Sequence, residues 1–413
     1  MKLREKYVKC IFMFFWGLMS FWIFAQTYDT AVAATVLPTN VETASKGNTL
    51  VGVEGSFATD VKKAIKLVNK YRLEACKKGY PDPRNSNRKL ITSDYVPIKW
   101  SSDLEYIARI RAAEASVYGS HTRPNGKSCF SIEAANGVSS CAEVLAWGGS
   151  TIVDSVTMWY GEKETWVKGE KGVTGHYTSM ISPSNTYMGM ANFDGTGAGE
   201  FTKESWVDKE SVNLDTTPLP KAKNVIQTIE VGSDKLSALH VKVDSKFVLG
   251  SSSRIQLIYL YDKTTTLKYL GDIEWSCNSD KITLLSDGTI TADKVGKHKI
   301  TFTYSGNKNG NITKQITVIP KSPKIKKVIM GKTSAKIKFA KVSDVSGYEI
   351  RYIYGNMWYP KQKKIKVSKT VTVKQIKGLP RKSIFIVEIR SYKKVGEKIY
   401  YSAWSEQVFK NTK

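Results

Sequence analysis

From Phe57 onward the apolar positions Val61, Ala64, Ile65, Val68 and Tyr71 recur at three- and four-residue spacing. This spacing predicts a helix running to about Cys76, with Thr59 or Asp60 as its N-cap. The stretch Gly79 to Ser93 is polar, holds Pro81 and Pro83, and reads as a loop. Ser102 with Glu105 three residues on predicts a capping box. Leu104, Ile107, Ala108, Arg111, Ala112 and Ala115 then mark one face of a second helix ending near Tyr118. A third helix starts near Ser150 or Thr151, with Ile152, Val153, Val156, Trp159 and Tyr160 on its buried side and Glu162 at its end. Tyr177 to Ser182 and Tyr187 to Phe193 are rich in β-formers and bounded by Pro, Asn and Gly, which predicts paired strands.

After Trp206 the pattern changes. Thr216-Thr217-Pro218-Leu219-Pro220 reads as a linker, and beyond it short alternating runs such as Lys299 to Tyr304 and Ile384 to Ile389 replace the helical period. Ser286-Asp287-Gly288 is a turn, and Pro320-Lys321-Ser322-Pro323 divides this half into two units of roughly a hundred residues, the size of a β-sandwich.

The start of the chain follows a different logic. Lys2, Arg4, Lys6 and Lys9 precede an unbroken apolar run from Cys10 to Phe24, and Ala31-Val32-Ala33 supplies the small residues read by a signal peptidase. Residues 1–33 are therefore expected to be a secretory signal removed before Ala34, with an uncleaved anchor as the alternative. No later stretch has the length and apolarity of a transmembrane helix, so the mature chain is expected to be secreted and to carry no membrane span.

Composition supports a folded, multidomain protein: 413 residues, 41% hydrophobic and 24% charged, enough for two to four domains. The net charge of +26 is unevenly placed. Residues 34–220 carry 21 basic and 21 acidic side chains, whereas residues 321–413 carry 24 and 5. A field of that sign attracts polyanions. For an exported chain those are cell-wall polymers, surface glycans and membrane surfaces; nucleic acid is not the expected partner. The competing explanation is that lysine keeps a secreted β-domain soluble.

Cys10 leaves with the signal, so Cys76, Cys129, Cys141 and Cys277 remain. Export permits disulfides, and Cys129 and Cys141 flank one loop, so they are the expected pair. A catalytic cysteine is the alternative.

Of the four histidines, His121 opens the run HTRPNG after the second helix, and His176 follows Gly175. Glu143, in CAEVLAWG, and Glu162, in WYGEKETW, lie between them at element boundaries. Imidazoles with carboxylates suit a divalent transition metal or a general acid/base pair. The spacing lacks the short i, i+4 register of a metalloprotease helix, so a structural role for the histidines stays open.

Residues 57 to 208 resemble a CAP-superfamily domain, the group of cysteine-rich secretory, antigen 5 and pathogenesis-related 1 proteins, also called SCP domains. The matching segments run in order: Asn69 with Tyr71-Arg72; Trp100, Leu104, Ala108, Ala112 and Glu114; SHTRPNG from Ser120; AEVLAWG from Ala142; MWYGE from Met158; and GHYTSMISP from Gly175. The resemblance implies an α-β-α sandwich whose cleft holds His121, Glu143, Glu162 and His176. Ala142-Glu143-Val144 departs from the family's Gly-Glu-Asn, and Thr178-Ser179-Met180 from its Thr-Gln, while Glu164 stands two residues beyond Glu162 as a competitor.

Residues 224–320 are similar to a bacterial Ig-like domain (Trp275, then SDGTITADKVGKHKITFTYSG). Residues 321–413 are similar to a fibronectin type III domain (SGYEIRYIY; GLPRKSIFIVEIRSYKKVGEKIYYSAWSE). Tyr348, Tyr352, Trp358, Tyr392 and Trp404 are expected as core and strand-pair residues. The combination resembles a secreted or cell-surface protein of a Gram-positive bacterium.

The expected architecture is thus a signal (1–33), a linker (34–56), an α-β-α sandwich (57–208), a second linker (209–223) and two β-sandwiches (224–320 and 321–413). The resemblance implies a divalent metal, with zinc expected, held by His121 and His176. Glu143 and Glu162 stand in the same cleft, with acid/base roles if the protein is a metal-assisted, peptidase-like hydrolase. The preferred alternative to that enzyme is a binding module with a lipid or peptide ligand in the cleft. Lys361, Lys363, Lys364 and Lys366 are the expected surface tether to an anionic wall polymer.

Overall fold

The structure is a computed structural model; it describes residues 34–135, 137–204, 217–277, 279–304, 312–356 and 358–413. The expected signal and most of the second linker lie outside the described residues.

Residues 34–56, expected as a linker, contain two strands: β1 (Thr35–Leu37) and β2 (Asn48–Gly55). The buried Val51 and Val53 alternate along β2, a short period-2 signal that lies ahead of the helical pattern and escapes it. Next come α1 (Val61–Lys78), β3 (Lys99–Trp100) and α2 (Ser102–Val117). The cap of α2 is Ser101 rather than Ser102, its Oγ accepting from the amide of Leu104 at 3.3 Å. Glu105 therefore closes no capping box and instead accepts from the Trp100 indole and Arg109.

Strand β4 (Ala142–Trp147) leads to α3 (Ile152–Tyr160), whose N-cap Thr151 and Asp154 form the capping box. Asp60, one of the two expected caps, is the N-cap residue of α1 but makes no side-chain cap bond there; its carboxylate instead accepts from the first amides of α3, those of Ile152 and Val153, at 3.0 and 2.9 Å. The short helices α4 (Lys163–Lys168) and α5 (Gly175–Ile181) follow. The α5 segment was expected to be a strand. Its buried residues Tyr177, Met180 and Ile181 show why it is not, since they lie three and four apart and share one helical face.

Strands β5 (Tyr187–Phe193) and β6 (Thr196–Thr202) form a hairpin and complete a four-stranded sheet in the order β3-β5-β6-β4. Helices α1, α3 and α5 pack together on one side of this sheet, and α2 lies against β5 and β6 on the other. The backbones of α2 and β5 meet so closely at Gly189 that a Cβ there would lie 2.0 Å from the Glu105 nitrogen.

The far side of α2 is covered by a second sheet. Strands β7 (Val225–Gly232), β8 (His240–Lys242), β9 (Gln256–Tyr261) and β10 (Thr265–Tyr269) join the N-terminal strands in the order β1-β7-β2-β10-β9-β8. Strand β2 pairs antiparallel with β7 along its whole length, from Asn48↔Gly232 to Gly55↔Val225. Ala108, Ala112 and Ala115 of α2 share one buried cluster with Val51, Val53, Ile229 and Val231. Segments on either side of the α/β region thus close over it and share its core.

The rest of the chain is mostly β-strand in several sheets. Trp275, Phe302 and Ile316 lie in one buried cluster, and Ile337, Tyr348, Phe385 and Ile389 in another. In the last region β11 (Gly347–Gly355), β12 (Lys361–Ser368), β13 (Ile384–Val395) and β14 (Lys398–Tyr401) run in the order β12-β11-β13-β14. Tyr348 and Tyr352 are buried as expected. Tyr392 is half-buried beneath Lys366, and Trp404 meets Arg351 and Arg390 at 4.6 and 4.4 Å. Trp358 is not a core residue: it is 70% exposed.

Candidate functional site

His121, Glu143, Glu162 and His176 meet in one place. Glu143 projects from β4, and its Oε1 accepts from His121 Nδ1 at 2.7 Å. Glu162 sits between α3 and α4, where one oxygen accepts from His176 Nδ1 and the other from the amides of His176 and Tyr177 at 3.0 and 3.1 Å. The start of α5 therefore presents its first amides to a carboxylate. The two imidazoles lie 6.3 Å apart between ring centres, with an interplanar angle of 26°. Glu164 is elsewhere, paired on the surface with Lys163 and Lys168.

Both carboxyls are ionised. Burial opposes the charge of Glu143, but hydrogen bonds from His121 and Arg111 outweigh it and hold the carboxyl below its ordinary range. Burial likewise opposes Glu162, and the hydrogen bond from His176 and the Tyr177 amide bring it down. An ionised carboxylate only accepts, so each ring donates from Nδ1, which makes Nε2 the nitrogen not engaged by the carboxylate. The carboxylates are the inner members: the Glu143 side chain is 1% exposed against 56% for His121. Carboxylate behind, imidazole in front, is the arrangement that orients a metal-binding histidine.

Behind Glu143 stands a buried charge network that sequence reasoning missed. Arg111 donates from Nε to Glu143 at 2.5 Å, from one terminal nitrogen to Glu114 at 2.6 Å and from the other to the Ser120 carbonyl at 2.9 Å. Arg123 donates to the far side of Glu114 at 2.8 and 3.0 Å. A signal was present, since Arg111 falls inside the apolar stripe of α2, where an arginine must have a partner. Glu200 of β6 is the cross-strand neighbour of Glu143 and is fully buried. Burial first, and then the charge of Glu143, push its carboxyl well above the ordinary range, so Glu200 is a neutral acid.

Cys129 and Cys141 are both free thiols, not the expected disulfide. Cys129 faces the cleft instead: a donor atom from each of His121, Cys129 and Glu143 lies within 4.8 Å of the others. Burial, with the charge of Glu143 adding to it, pushes the Cys129 thiol up to about 12. The protonated thiol is therefore the favoured form, the weaker nucleophile of the two.

The second sheet reaches the site through the HTRPNG loop. Glu230 of β7 accepts from Asn125 at 2.6 Å, and the Gly232 amide donates to the Pro124 carbonyl at 3.0 Å. Burial opposes the charge of Glu230, but hydrogen bonds from Ser45, Asn48 and Asn125 lower its carboxyl to about 2. On the other side Arg72 of α1 donates to the carbonyls of Val96, Met180, Ser182 and Asn185, fixing the segment that follows α5.

Lys361, Lys363, Lys364 and Lys366 are far along the chain, on β12, and all four are exposed. They are not part of the cleft.

Residues 65–202 match the profile of the cysteine-rich secretory protein family, CAP. A probable pathogenesis-related protein of Candida albicans is 34% identical over 107 residues, which are 26% of this chain and 45% of that protein. The chain thus spans less than half the length of this relative. Among solved structures, one described as a myokine structure shows 20% identity and a TM-score of 0.20 over 22% of this chain and 97% of its own. The third fibronectin III domain of a human protein shows 18% identity and a TM-score of 0.18 over 21% and 79%.

Proposed function

Residues 65–202 being a CAP domain, we propose that its cleft is a binding site for a divalent metal ion, held by His121 and His176, on an exported protein tethered by its basic C-terminal region. The observation that carries this reading is the pair of imidazoles, each with Nδ1 engaged by an ionised carboxylate and Nε2 left for a ligand. A bound zinc ion would supply a Lewis acid and a site for an oxygen or nitrogen atom of a peptide or lipid headgroup. Glu143 and Glu162 orient the rings.

A metal-assisted hydrolase is the weaker reading. Glu143 has its oxygens committed to His121 and Arg111, and Glu162 accepts three hydrogen bonds, so neither carboxylate is free to take a proton from water. Of the described residues, no helix is long and apolar enough to cross a membrane. We read the two β-rich regions as an Ig-like and a fibronectin type III-like sandwich, the second carrying Lys361, Lys363, Lys364 and Lys366 to an anionic wall polymer or surface glycan.

Zinc calorimetry on residues 34–413, wild type against His121→Ala/His176→Ala, tests the site. Binding should vanish in the double variant and weaken on acidification, because protons compete for the imidazoles. Equal affinity in both proteins removes the metal site. Peptidase activity present in the wild type and lost in the variant would favour the hydrolase.

A further inference from the structure

Trp358 and Tyr359 are 70% and 81% exposed, the highest values among the described large hydrophobic side chains. They stand at the tip of the β11–β12 hairpin, where Gly355, at φ 123°, lets the chain leave β11. The tip is built, because Asn356 Oδ1 accepts from the backbone amides of Trp358 and Tyr359 at 3.0 and 2.7 Å. The side-chain amide fixes the two aromatic residues on one turn, which lowers the entropy lost when they are covered.

Lys361, Lys363, Lys364 and Lys366 lead away from this tip along β12, which is the edge strand of its sheet. None of the four forms an ion pair with a described residue, whereas Arg351 and Arg390 on the neighbouring strands are paired with Glu388 and Glu349. Lys363 and Lys366 lean over the rings of Tyr354 and Tyr392, at 5.9 and 5.5 Å, on opposite faces of the sheet. Edge lysines are commonly a guard against strand-to-strand aggregation. That role does not explain two large aromatic side chains held in solvent at the end of the same row.

We propose that this hairpin is the contact point of the tether and that its ligand is an acidic polysaccharide, a linear polyanion bearing sugar rings. Lys361 and Lys363 lie on one face of the sheet and Lys364 and Lys366 on the other, so the exposed edge of β12, roughly 17 Å from Lys361 to Lys366 at about 3.4 Å per residue, offers charge from both faces to a linear polyanion lying along it. Trp358 and Tyr359 supply the flat apolar faces on which sugar rings stack. The inference rests on the tether reading above and assigns it a place and a ligand class.

The test uses residues 34–413 and three probes: polygalacturonate, which has rings; polyphosphate, which has none; and vesicles of phosphatidylglycerol. Trp358→Ala/Tyr359→Ala should weaken polygalacturonate binding at least tenfold, leave polyphosphate binding within twofold and keep the same salt dependence. Trp358→Phe/Tyr359→Phe should restore most of the loss. Lys361→Gln/Lys363→Gln/Lys364→Gln should weaken both polyanions. Thermal melts unchanged among the variants show that the hairpin is intact, as expected for exposed side chains. Equal losses on the two polyanions, or none in the aromatic variant, overturn the stacking assignment while the charge tether stands. An aromatic effect seen on vesicles alone assigns the tip to a membrane and overturns the glycan. Failure of the wild type to bind either polyanion overturns the tether itself.

Discussion

The α/β region around the cleft and the C-terminal region use charge in opposite ways. Around the cleft Arg111, Arg123, Glu114 and Glu143 are buried and satisfied by one another, with Glu200 kept neutral beside them. On β12 the lysines are exposed and have no carboxylate partner among the described residues. A buried charge that loses its partner is costly, whereas a solvated one is nearly free to change. The first kind of charge therefore holds a geometry, and the second kind creates a field. Equal numbers of acidic and basic residues in one half, and a large excess of basic ones in the other, are the compositional trace of that division.

The largest expected effect comes from cutting the chain at the boundaries that its pattern suggests. A fragment of residues 57–208 lacks β1, β2 and β7 and uncovers α2. Val51, Val53, Ile229 and Val231 alone contribute about 1.5–3 kcal/mol each by burial. The fragment should be largely unfolded or aggregated under conditions where residues 34–413 give a sharp melt by circular dichroism. A fragment as stable as the longer chain would show that the second sheet is not part of the domain's core.

Within the cleft, Arg111→Met should cost about 3–5 kcal/mol in a denaturant titration, because Glu143 and Glu114 lose their shared cation. Zinc affinity should fall with it, since Glu143 no longer holds His121 in place. A loss below about 1 kcal/mol would mean that the buried network is not what holds the site.

Glu200→Gln is a smaller change and depends on pH. Glu200 binds its proton more tightly in the folded state than in the unfolded state. Wild-type stability therefore falls as pH rises above the ordinary carboxyl range, because the unfolded chain releases a proton that the folded one retains. Glutamine removes that penalty, so the variant should be more stable than wild type at pH 8 and equal to it near pH 4. A variant that is less stable at pH 8 would show that Glu200 is ionised. At the far end of the scale, Lys361→Gln/Lys363→Gln/Lys364→Gln should shift stability by less than about 0.5 kcal/mol. A larger shift would make those lysines structural and weaken the contrast between the two regions.

Much of this was legible in the chain itself. The three principal helices, the β5 strand and the change of texture after Trp206 follow from local period, caps and turns, whereas the four cleft residues came from the resemblance of their motifs to a known family, since their spacing alone points to no site. Local signals carry such features because a helix face or a motif is written within a few residues of itself. The misreadings have the same cause in reverse. Residues 175–181 hold too short an apolar set to tell a helix from a strand, and Ser101 and Ser102 are equally good caps until the backbone chooses.

What only the tertiary structure decided depends on partners distant in sequence. The pairing of β2 with β7 joins residues from 170 to 184 positions apart, and no period in either strand announces the other. The partners of Arg111, the neutrality of Glu200 and the thiol of Cys129 turned toward His121 follow from which side chains share one buried volume. Trp358 is aromatic in either setting; its place at a hairpin tip, beyond the reach of any core, determines that it faces solvent.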